Sequence, residues 1–327
     1  MEIYEYATYS CTTETLQATL NKYGVAIIPD VLNPEECESM VSGIWDYFEH
    51  ITQPWEKPIG RDDKTSWRGI YDLFPAHSML LQHFSIGQSQ VVWDIRQSEK
   101  VTAPFEKLWN CPKEDLLVSF DGLSFAMPPE ETNRGWYRNN TWYHSDQSFT
   151  RNEFECAQGW VTGLDVEPGD ATLAFYEGSH KFHSEFADEF KMRDKKGAKK
   201  DWHKLSEEEE LFFLNRGCVE TKIACPKGSM VFWDSRTIHC GTEAMRGRKN
   251  PKHRAVIYVC YRPRRFATET NLKKKQKAFT EMRMTSHWPC KATLFGKKPH
   301  TYGKEIPELI PIDPPHLTET GRKLAGF

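Results

Sequence analysis

The sequence lacks the features that would place it in a membrane or in a disulfide-rich secreted class. No run of apolar residues approaches the eighteen or so that a membrane helix needs. The first seventeen residues have neither the basic region nor the apolar region of a secretory leader. The nine cysteines are an odd number, and no CxxC pair occurs among them. We therefore expect a cytoplasmic protein with reduced thiols and no membrane partner, rather than a disulfide framework or a zinc ribbon.

A strong charge of either sign is also missing. The net charge is -3 and the isoelectric point is near 6.5, which argues against a nucleic-acid partner. The chain is nevertheless rich in core-forming residues, because 13% of its 327 positions are aromatic. Such a composition excludes a disordered chain and allows one large domain. It carries no indication of oligomeric state.

The pattern of apolar residues predicts helices first and strands later. A helix is predicted over 12–23, a buried strand over 25–29, and a second helix from Asn33-Pro34, a typical capping residue followed by proline. Helical structure is also expected within 80–101. Short strands separated by turn residues then predict a barrel or sandwich. They cover 116–127, 141–146, 157–166, 172–176, 221–224, 230–233 and 255–261.

Two segments stand apart from this pattern. Residues 186–216 contain a lysine-rich run and an acidic run, which indicate a solvated helical insertion. Residues 264–327 show weak periodicity and many prolines, so we expect a tail that wraps the core or covers a site.

The triplet His144-Ser145-Asp146 is the first candidate for chemistry. On a strand, residues two apart point to the same side, so His144 and Asp146 can reach one ion. A remote histidine, His239, stands near the end of a predicted strand. Two imidazoles and a carboxylate are the ligand set of a non-haem Fe(II) oxygenase. Among twelve histidines a His-x-Asp match is expected about once by chance, so the triplet alone is weak.

A second set of metal-binding side chains competes with the first. His180 and His183 lie close to Glu185 and could also be drawn as a metal site. His180 belongs to Gly178-Ser179-His180, however, where a role in completing a turn is the simpler interpretation.

Four sequence blocks change these odds. They are "YGVAIIPDVLNPEEC", "WYHSDQSF", "LAFYEGSHKFH" and "KGSMVFWDSRTIHCG". In this order they resemble the phytanoyl-CoA dioxygenase-like family over about half of the chain. Glu177 stands where the family commonly has proline before Gly-Ser-His. The resemblance does not cover the 186–216 insertion or the tail.

The resemblance implies a mainly β fold with flanking helices and a double-stranded β-helix, or jelly-roll, core. We expect one oxygenase domain over 1–327, with helical support over about 12–110, the core over about 115–263, the insertion over 186–216 and a wrapping tail over 264–327. It further implies Fe(II), 2-oxoglutarate and O2, with ascorbate as a reductant. Carried over by position, His144, Asp146 and His239 are the iron ligands.

The resemblance also points to a pocket for 2-oxoglutarate. The family's arginine opens the strand after the distal histidine, a place that Arg254 fits, although Arg248 is a competitor because the spacing is long. A guanidinium suits a bidentate pair with a carboxylate. The family's serine two residues after the distal histidine is Gly241 here, and Thr242 is the candidate substitute. Trp160 is expected either to line this pocket or simply to fill the core.

The function that follows is hydroxylation of an unactivated C–H bond in a small polar, amino-acid-like or acyl metabolite, with release of succinate and CO2. Candidate substrate contacts in and around the loop before the triplet are Asp121, Ser124, Trp136, Tyr137 and Gln147. Two alternatives stay open: an oxygenase acting on nucleic acid or protein, and a catalytically silent metal-binding module.

Overall fold

The computed structural model describes residues 3–75, 79–138, 142–296, 299–303 and 305–327. Their helices are α1 (Leu16–Tyr23), α2 (Pro34–Ile51), α3 (Arg68–Leu73), α4 (Gln90–Arg96), α5 (Glu99–Trp109), α6 (Pro129–Thr132), α7 (His183–Glu189), α8 (Glu207–Leu214), α9 (Glu269–Thr280) and α10 (Glu319–Ala325). Their strands are β1 (Tyr4–Glu5), β2 (Val25–Ile28), β3 (Leu116–Val118), β4 (Leu123–Ala126), β5 (His144–Ser145), β6 (Ala157–Thr162), β7 (Thr172–Tyr176), β8 (His203–Lys204), β9 (Glu220–Ile223), β10 (Met230–Asp234), β11 (His239–Thr242) and β12 (Arg254–Pro263).

The strands form two six-stranded sheets. The major sheet has the order β2-β10-β6-β12-β3, with β4 also paired to β12, and the minor sheet has the order β1-β9-β7-β11-β5-β8. All pairings are antiparallel except β1 with β9. Inward-facing Trp160, Val231 and Val256 of the major sheet pack against Leu173 and Phe175 of the minor sheet. The predicted jelly-roll core is confirmed.

Helices cover the outer face of the major sheet. Val161 and Ile257, which alternate with the inward residues, share one apolar cluster with Ile44 and Phe48 of α2. The predicted start of α2 is confirmed by a capping box: the Asn33 side chain accepts from the Glu36 amide, and the Glu36 carboxylate accepts from the Asn33 amide. These caps satisfy amides that a helix start leaves free.

The insertion differs from the solvated segment that its charge predicted. Phe186 of α7 and Phe212 and Phe213 of α8 are buried against Tyr143 and Tyr176 on the outer face of the minor sheet. The lysine-rich run at 195–200 does stay largely exposed. The charges therefore hid an apolar side, because the acidic run 207–210 directly precedes the apolar residues 211–214.

The predicted strand over 116–127 is two strands, β3 and β4, separated by 119–122. At 119–122 the backbone is in close contact with the segments that contain Leu81 and Gly87. A Cβ on Gly122 would lie 1.5 Å from the Leu81 carbonyl oxygen, and a Cβ on Gly87 would lie 1.9 Å from the Asp121 carbonyl oxygen. Glycine at both positions lets the backbone carbonyls approach, which fixes the place of Asp121.

We expect Gly122→Ala to lower the free energy of unfolding by about 2 kcal/mol or more, since the new methyl group meets backbone rather than a movable side chain. Gly60→Ala is the control, because nothing lies within 4 Å of its Cβ position, and we expect a change within about 0.5 kcal/mol. Urea unfolding of both variants measures the difference. Equal stabilities would contradict the close approach.

The tail runs back over the body of the protein. The Ile310 amide donates to the Ile51 carbonyl (3.0 Å) and the Tyr302 amide to the Phe74 carbonyl (3.0 Å). Lys275 of α9 is buried, where its ammonium donates to the Val118 carbonyl and lies 3.6 Å from the Phe120 ring centre. Within the described ranges no helix has the length and apolar character to cross a membrane.

Candidate metal centre and co-substrate pocket

His144, Asp146 and His239 converge at one end of the space between the sheets. One ligand atom from each lies within 4.8 Å of the others. Nε2 of His144 is 3.7 Å from one oxygen of Asp146, and Nε2 of His239 is 3.4 Å from the other. All three residues are buried, at 5%, 7% and 4% exposure respectively. This is a compact set of two imidazoles and one carboxylate facing a common point.

Strand pairing produces this convergence. His239 begins β11 and lies directly opposite His144 on β5. The Asp146 amide donates to the Ser235 carbonyl (3.0 Å), which holds the residue just past β5 against the turn that leads to His239. Ser179 supports the same turn, because its hydroxyl accepts from the Ile238 amide at 2.9 Å. Strand pairing and hydrogen bonds to the backbone of the adjoining turn therefore hold the three side chains in place.

Neighbouring groups orient each ligand. Nδ1 of His144 lies 3.1 Å from the Trp142 carbonyl, and Nδ1 of His239 lies 2.9 Å from the Thr237 carbonyl. A carbonyl can only accept, so both histidines carry their proton on Nδ1 and present the lone pair of Nε2. The Gln158 amide donates to Asp146 at 2.8 Å. Such partners are the usual support of metal ligands.

The electrostatics favour the metal-binding forms. Burial lowers the pKa of His239, and His144 adds to this, so the imidazole is neutral at neutral pH. Burial would raise the pKa of Asp146, but the neighbouring imidazoles of His287, His144 and His239 hold it well below its usual range. A neutral imidazole and an anionic carboxylate are the forms that bind a metal.

We expect Gln158→Leu to weaken Fe(II) affinity by about 10- to 100-fold, because loss of an orienting hydrogen bond has that effect at other metal sites. Competition titration with a metal-sensitive dye measures it. Gln53→Leu, at an exposed position, is the control. Unchanged affinity in Gln158→Leu would mean that the bond to Asp146 does not support the metal.

The competing set around His180 is engaged elsewhere. Nε2 of His180 lies 3.1 Å from the Asn21 carbonyl, Nε2 of His183 lies 3.4 Å from the Ser148 carbonyl, and Glu185 pairs with Arg216 at 2.6 Å. These three do not form a metal-binding group in the part of the chain that the structure describes. His180 instead packs beside Gly24, where an added Cβ would lie 2.6 Å from its Nδ1.

Arg254 opens β12 and faces the space between the sheets. It lies 5.3 Å from the Trp160 ring centre and donates to the Ala171 carbonyl at 2.8 Å. No carboxylate lies within ion-pair distance of it over the described residues. It shares a cavity of roughly 300 Å³ with Thr162, Thr242 and Trp142, and the Trp142 ring stacks on His144 at 4.7 Å. The cavity therefore extends from the Arg254 guanidinium to Trp142, the side chain that stacks on His144.

Three buried polar atoms of the major sheet also lack partners. They are Nε1 of Trp160, Nε1 of Trp233 and Oγ of Ser124. Buried polar groups without hydrogen bonds are costly, and donors of this kind suit an anion. A free arginine with orphaned donors and a polar cavity beside a metal-ligand set fits a dicarboxylic acid such as 2-oxoglutarate.

Arg248 has a different environment. Its guanidinium lies 2.5 Å from Glu130 and 2.5 Å from Asp170, and its side chain is 4% exposed. With two carboxylates bound, it ties the 246–253 loop to α6. Two carboxylates already oppose its single positive charge, so it does not attract a further anion, although it lines the same cavity.

The candidate substrate residues separate into three groups. Asp121 and Ser124 are buried at the end of β3 and on β4, and the charge of Asp146 acts on Asp121. Tyr137 lines the cavity of Arg254, whereas Trp136 packs near Arg246 at 4.6 Å. Gln147 does not offer a free group: it donates to the Arg151 and Glu153 carbonyls and accepts from Ser235.

His287, in the tail, was not among the residues predicted for the site. Its charge acts on both Asp146 and Asp121, and its Nε2 is buried without a partner. The adjacent Trp288 packs against Cys156 and Cys260, and Cys260 lies opposite Gln158. The tail thus forms a wall of the site, a position that weak periodicity could not reveal.

Comparison with known proteins places this site in a family. Residues 20–250 match the model of the family described as Phytanoyl-CoA dioxygenase (PhyH). The "Ava biosynthesis cluster protein O" of Aspergillus versicolor is 27% identical over 273 residues, which cover 82% of this chain and 84% of that protein.

The chain is similar to solved structures, and the first of them shares its fold. The hypothetical protein JW0805 from Escherichia coli has a TM-score of 0.56 at 14% identity, covering 97% of this chain and 82% of that one. The epimerase SnoN, in complex with Fe3+, alpha ketoglutarate and nogalamycin RO, has a TM-score of 0.47 at 14% identity, covering 77% and 83%.

The family match spans well over half of the chain, in agreement with the four sequence blocks, and includes all three clustered side chains. The chain belongs to the phytanoyl-CoA dioxygenase (PhyH) family, and its His144-Asp146-His239 cluster is a group of two imidazoles and one carboxylate that could hold a metal ion.

Proposed function

We propose that the protein is an Fe(II)- and 2-oxoglutarate-dependent oxygenase that hydroxylates a C–H bond of a small molecule. The observation that carries the proposal is the pairing of a three-ligand cluster with an arginine that opens β12, lacks a carboxylate partner within the described chain and lines an adjoining cavity. When bound, Fe(II) and 2-oxoglutarate would supply the chemistry that activates O2, the oxidant, and 2-oxoglutarate would be oxidised to succinate and CO2 as the C–H bond is hydroxylated.

Each protein group has a separate task. His144, Asp146 and His239 would hold the metal through three positions and leave the others open. Arg254 would bind the carboxylate of 2-oxoglutarate far from the metal with two hydrogen bonds. Thr242 lines the same cavity and is proposed as a further donor. Trp160 keeps water from Arg254 and holds its guanidinium plane.

The test is succinate release from 2-oxoglutarate with Fe(II), O2 and ascorbate. We expect release without added substrate at a low rate, and a higher rate with the right small molecule. Parallel reactions with amino acids, acyl-CoA esters and oligonucleotides separate the substrate classes. Stimulation by oligonucleotides alone would reject a small-molecule substrate, and failure to bind iron or consume 2-oxoglutarate would reject the oxygenase itself.

A further inference from the structure

A second pair of polar residues lies close to the edge of the candidate metal centre. It consists of Asp121, in the break between β3 and β4, and His287, in the tail. The Phe120 amide donates to Thr285 Oγ1 at 3.1 Å and the Thr285 amide donates to the Phe120 carbonyl at 3.0 Å. These two bonds hold the tail against the break, one residue before Asp121 and two residues before His287.

Contacts connect this pair to the metal ligands. The Ser119 amide donates to the Cys260 carbonyl at 2.9 Å, and Cys260 lies opposite Gln158 on β6. Gln158 in turn donates to Asp146. Trp288, beside His287, packs on Cys260. Asp121 and His287 are therefore joined to the edge of the metal site by a continuous chain of contacts.

Both groups have unused hydrogen-bonding capacity. Asp121 is 6% exposed and accepts one hydrogen bond, from Ser119 at 3.0 Å; no other donor reaches its carboxylate over the described ranges. Nε2 of His287 is buried and has no partner. Leaving buried polar groups unpaired is costly, and a bound molecule that pairs with them removes that cost.

Positive charge already acts on the Asp121 carboxylate from His287 and Arg96. Arg96 donates to the Asp121 carbonyl at 2.6 Å and to the Gly87 carbonyl. Burial lowers the pKa of Arg96 only to about 10, so it is cationic at neutral pH. A substrate ammonium would add an excess positive charge to a closed site, and a substrate carboxylate would face the Asp121 carboxylate.

We propose that Asp121 and His287 bind the substrate of this oxygenase through a neutral group that can both donate and accept hydrogen bonds, a hydroxyl or an amide. This inference rests on the proposed function. The Asp121 carboxylate accepts a hydrogen bond from the substrate group, and His287 donates one to it. Together the two bonds hold the rest of the substrate toward the metal.

A matched probe series tests the assignment: 2-phenylethanol, phenylacetamide, phenethylamine, phenylacetate and ethylbenzene share one apolar body and differ in the polar group. The protein is loaded with Fe(II) and 2-oxoglutarate under nitrogen, and probe binding is followed by NMR line broadening caused by the paramagnetic iron. We expect the alcohol and the amide to bind about tenfold or more tightly than the other three, the effect of one hydrogen bond to a charged group.

Variants assign the preference to the two residues. We expect Asp121→Asn and His287→Ala each to remove the preference for the neutral polar probes. Asp115→Asn, exposed at the start of β3, and His300→Ala, exposed in the tail, should keep it. Asp121→Asn removes the negative charge beside Arg96, and if that variant does not fold, His287→Ala still tests the assignment. Thermal unfolding checks that each variant is folded.

The outcomes are distinct from a failure of the oxygenase. Unstimulated succinate release and iron binding by the wild type test the proposed function. If these are intact but the wild type shows no preference for the alcohol and amide, or if the preference survives in either folded variant, the assignment of Asp121 and His287 is overturned.

Discussion

Asp146→Ala is expected to lose Fe(II) binding and, with it, all succinate release. Removal of partners that only orient a ligand costs about 10- to 100-fold in metal affinity, so loss of the only anionic ligand in the cluster should exceed about 100-fold. Two neutral imidazoles would remain, with no charge to offset the charge of the metal. Equilibrium dialysis with Fe(II) and a coupled succinate assay measure both effects.

The control for this variant is Asp115→Ala, an exposed carboxylate on the same polypeptide, which should bind iron as the wild type does. We expect the metal-free Asp146→Ala protein to be folded, since a buried carboxylate is costly when no metal is bound. Stoichiometric iron in the folded variant would show that the metal is held elsewhere.

Arg254→Ala is expected to raise the KM for 2-oxoglutarate by about 100-fold, because two charge-assisted hydrogen bonds to one carboxylate are lost. Iron binding without 2-oxoglutarate should be unchanged, since Arg254 is not among the clustered ligands. Arg254→Lys should recover part of the affinity through charge without the bidentate geometry. Steady-state succinate release at varied 2-oxoglutarate measures the series.

Arg248→Ala separates the two arginines. Because Arg248 is paired with Glu130 and Asp170, its removal leaves carboxylates without their partner, and we expect a loss of stability on the order of 3 kcal/mol. The KM for 2-oxoglutarate of the folded protein should change much less than in Arg254→Ala. The reverse result would assign the co-substrate to Arg248.

The parts of the fold that follow local rules could be predicted from the sequence. β7 occurs where it was expected, over 172–176, and α2 starts with its capping residue, Asn33. The break after β3 could not be predicted, because it depends on the approach of Leu81 and Met284 to Gly122 and Gly87. Such contacts between distant segments leave no periodic pattern.

The same contrast applies to the site. His144 and Asp146 were placed by strand alternation and His239 by order along the chain, and the structure brings them together. The environment of Arg248 was not predictable, since its partners Glu130 and Asp170 lie 118 and 78 positions away. Gln147 is a candidate substrate contact from the sequence, but its side-chain amide donates to the carbonyls of Arg151 and Glu153.

The wall formed by the tail has a consequence for the order in which the site is made. All metal ligands are present once His239 has been synthesised, but His287 follows 48 positions later. At ordinary rates of translation this gap lasts about 2 to 10 s. During that time the ligand strands can pair while one side of the site still lacks its wall. The ligands thus precede the wall during synthesis, so iron can reach them before the pocket closes.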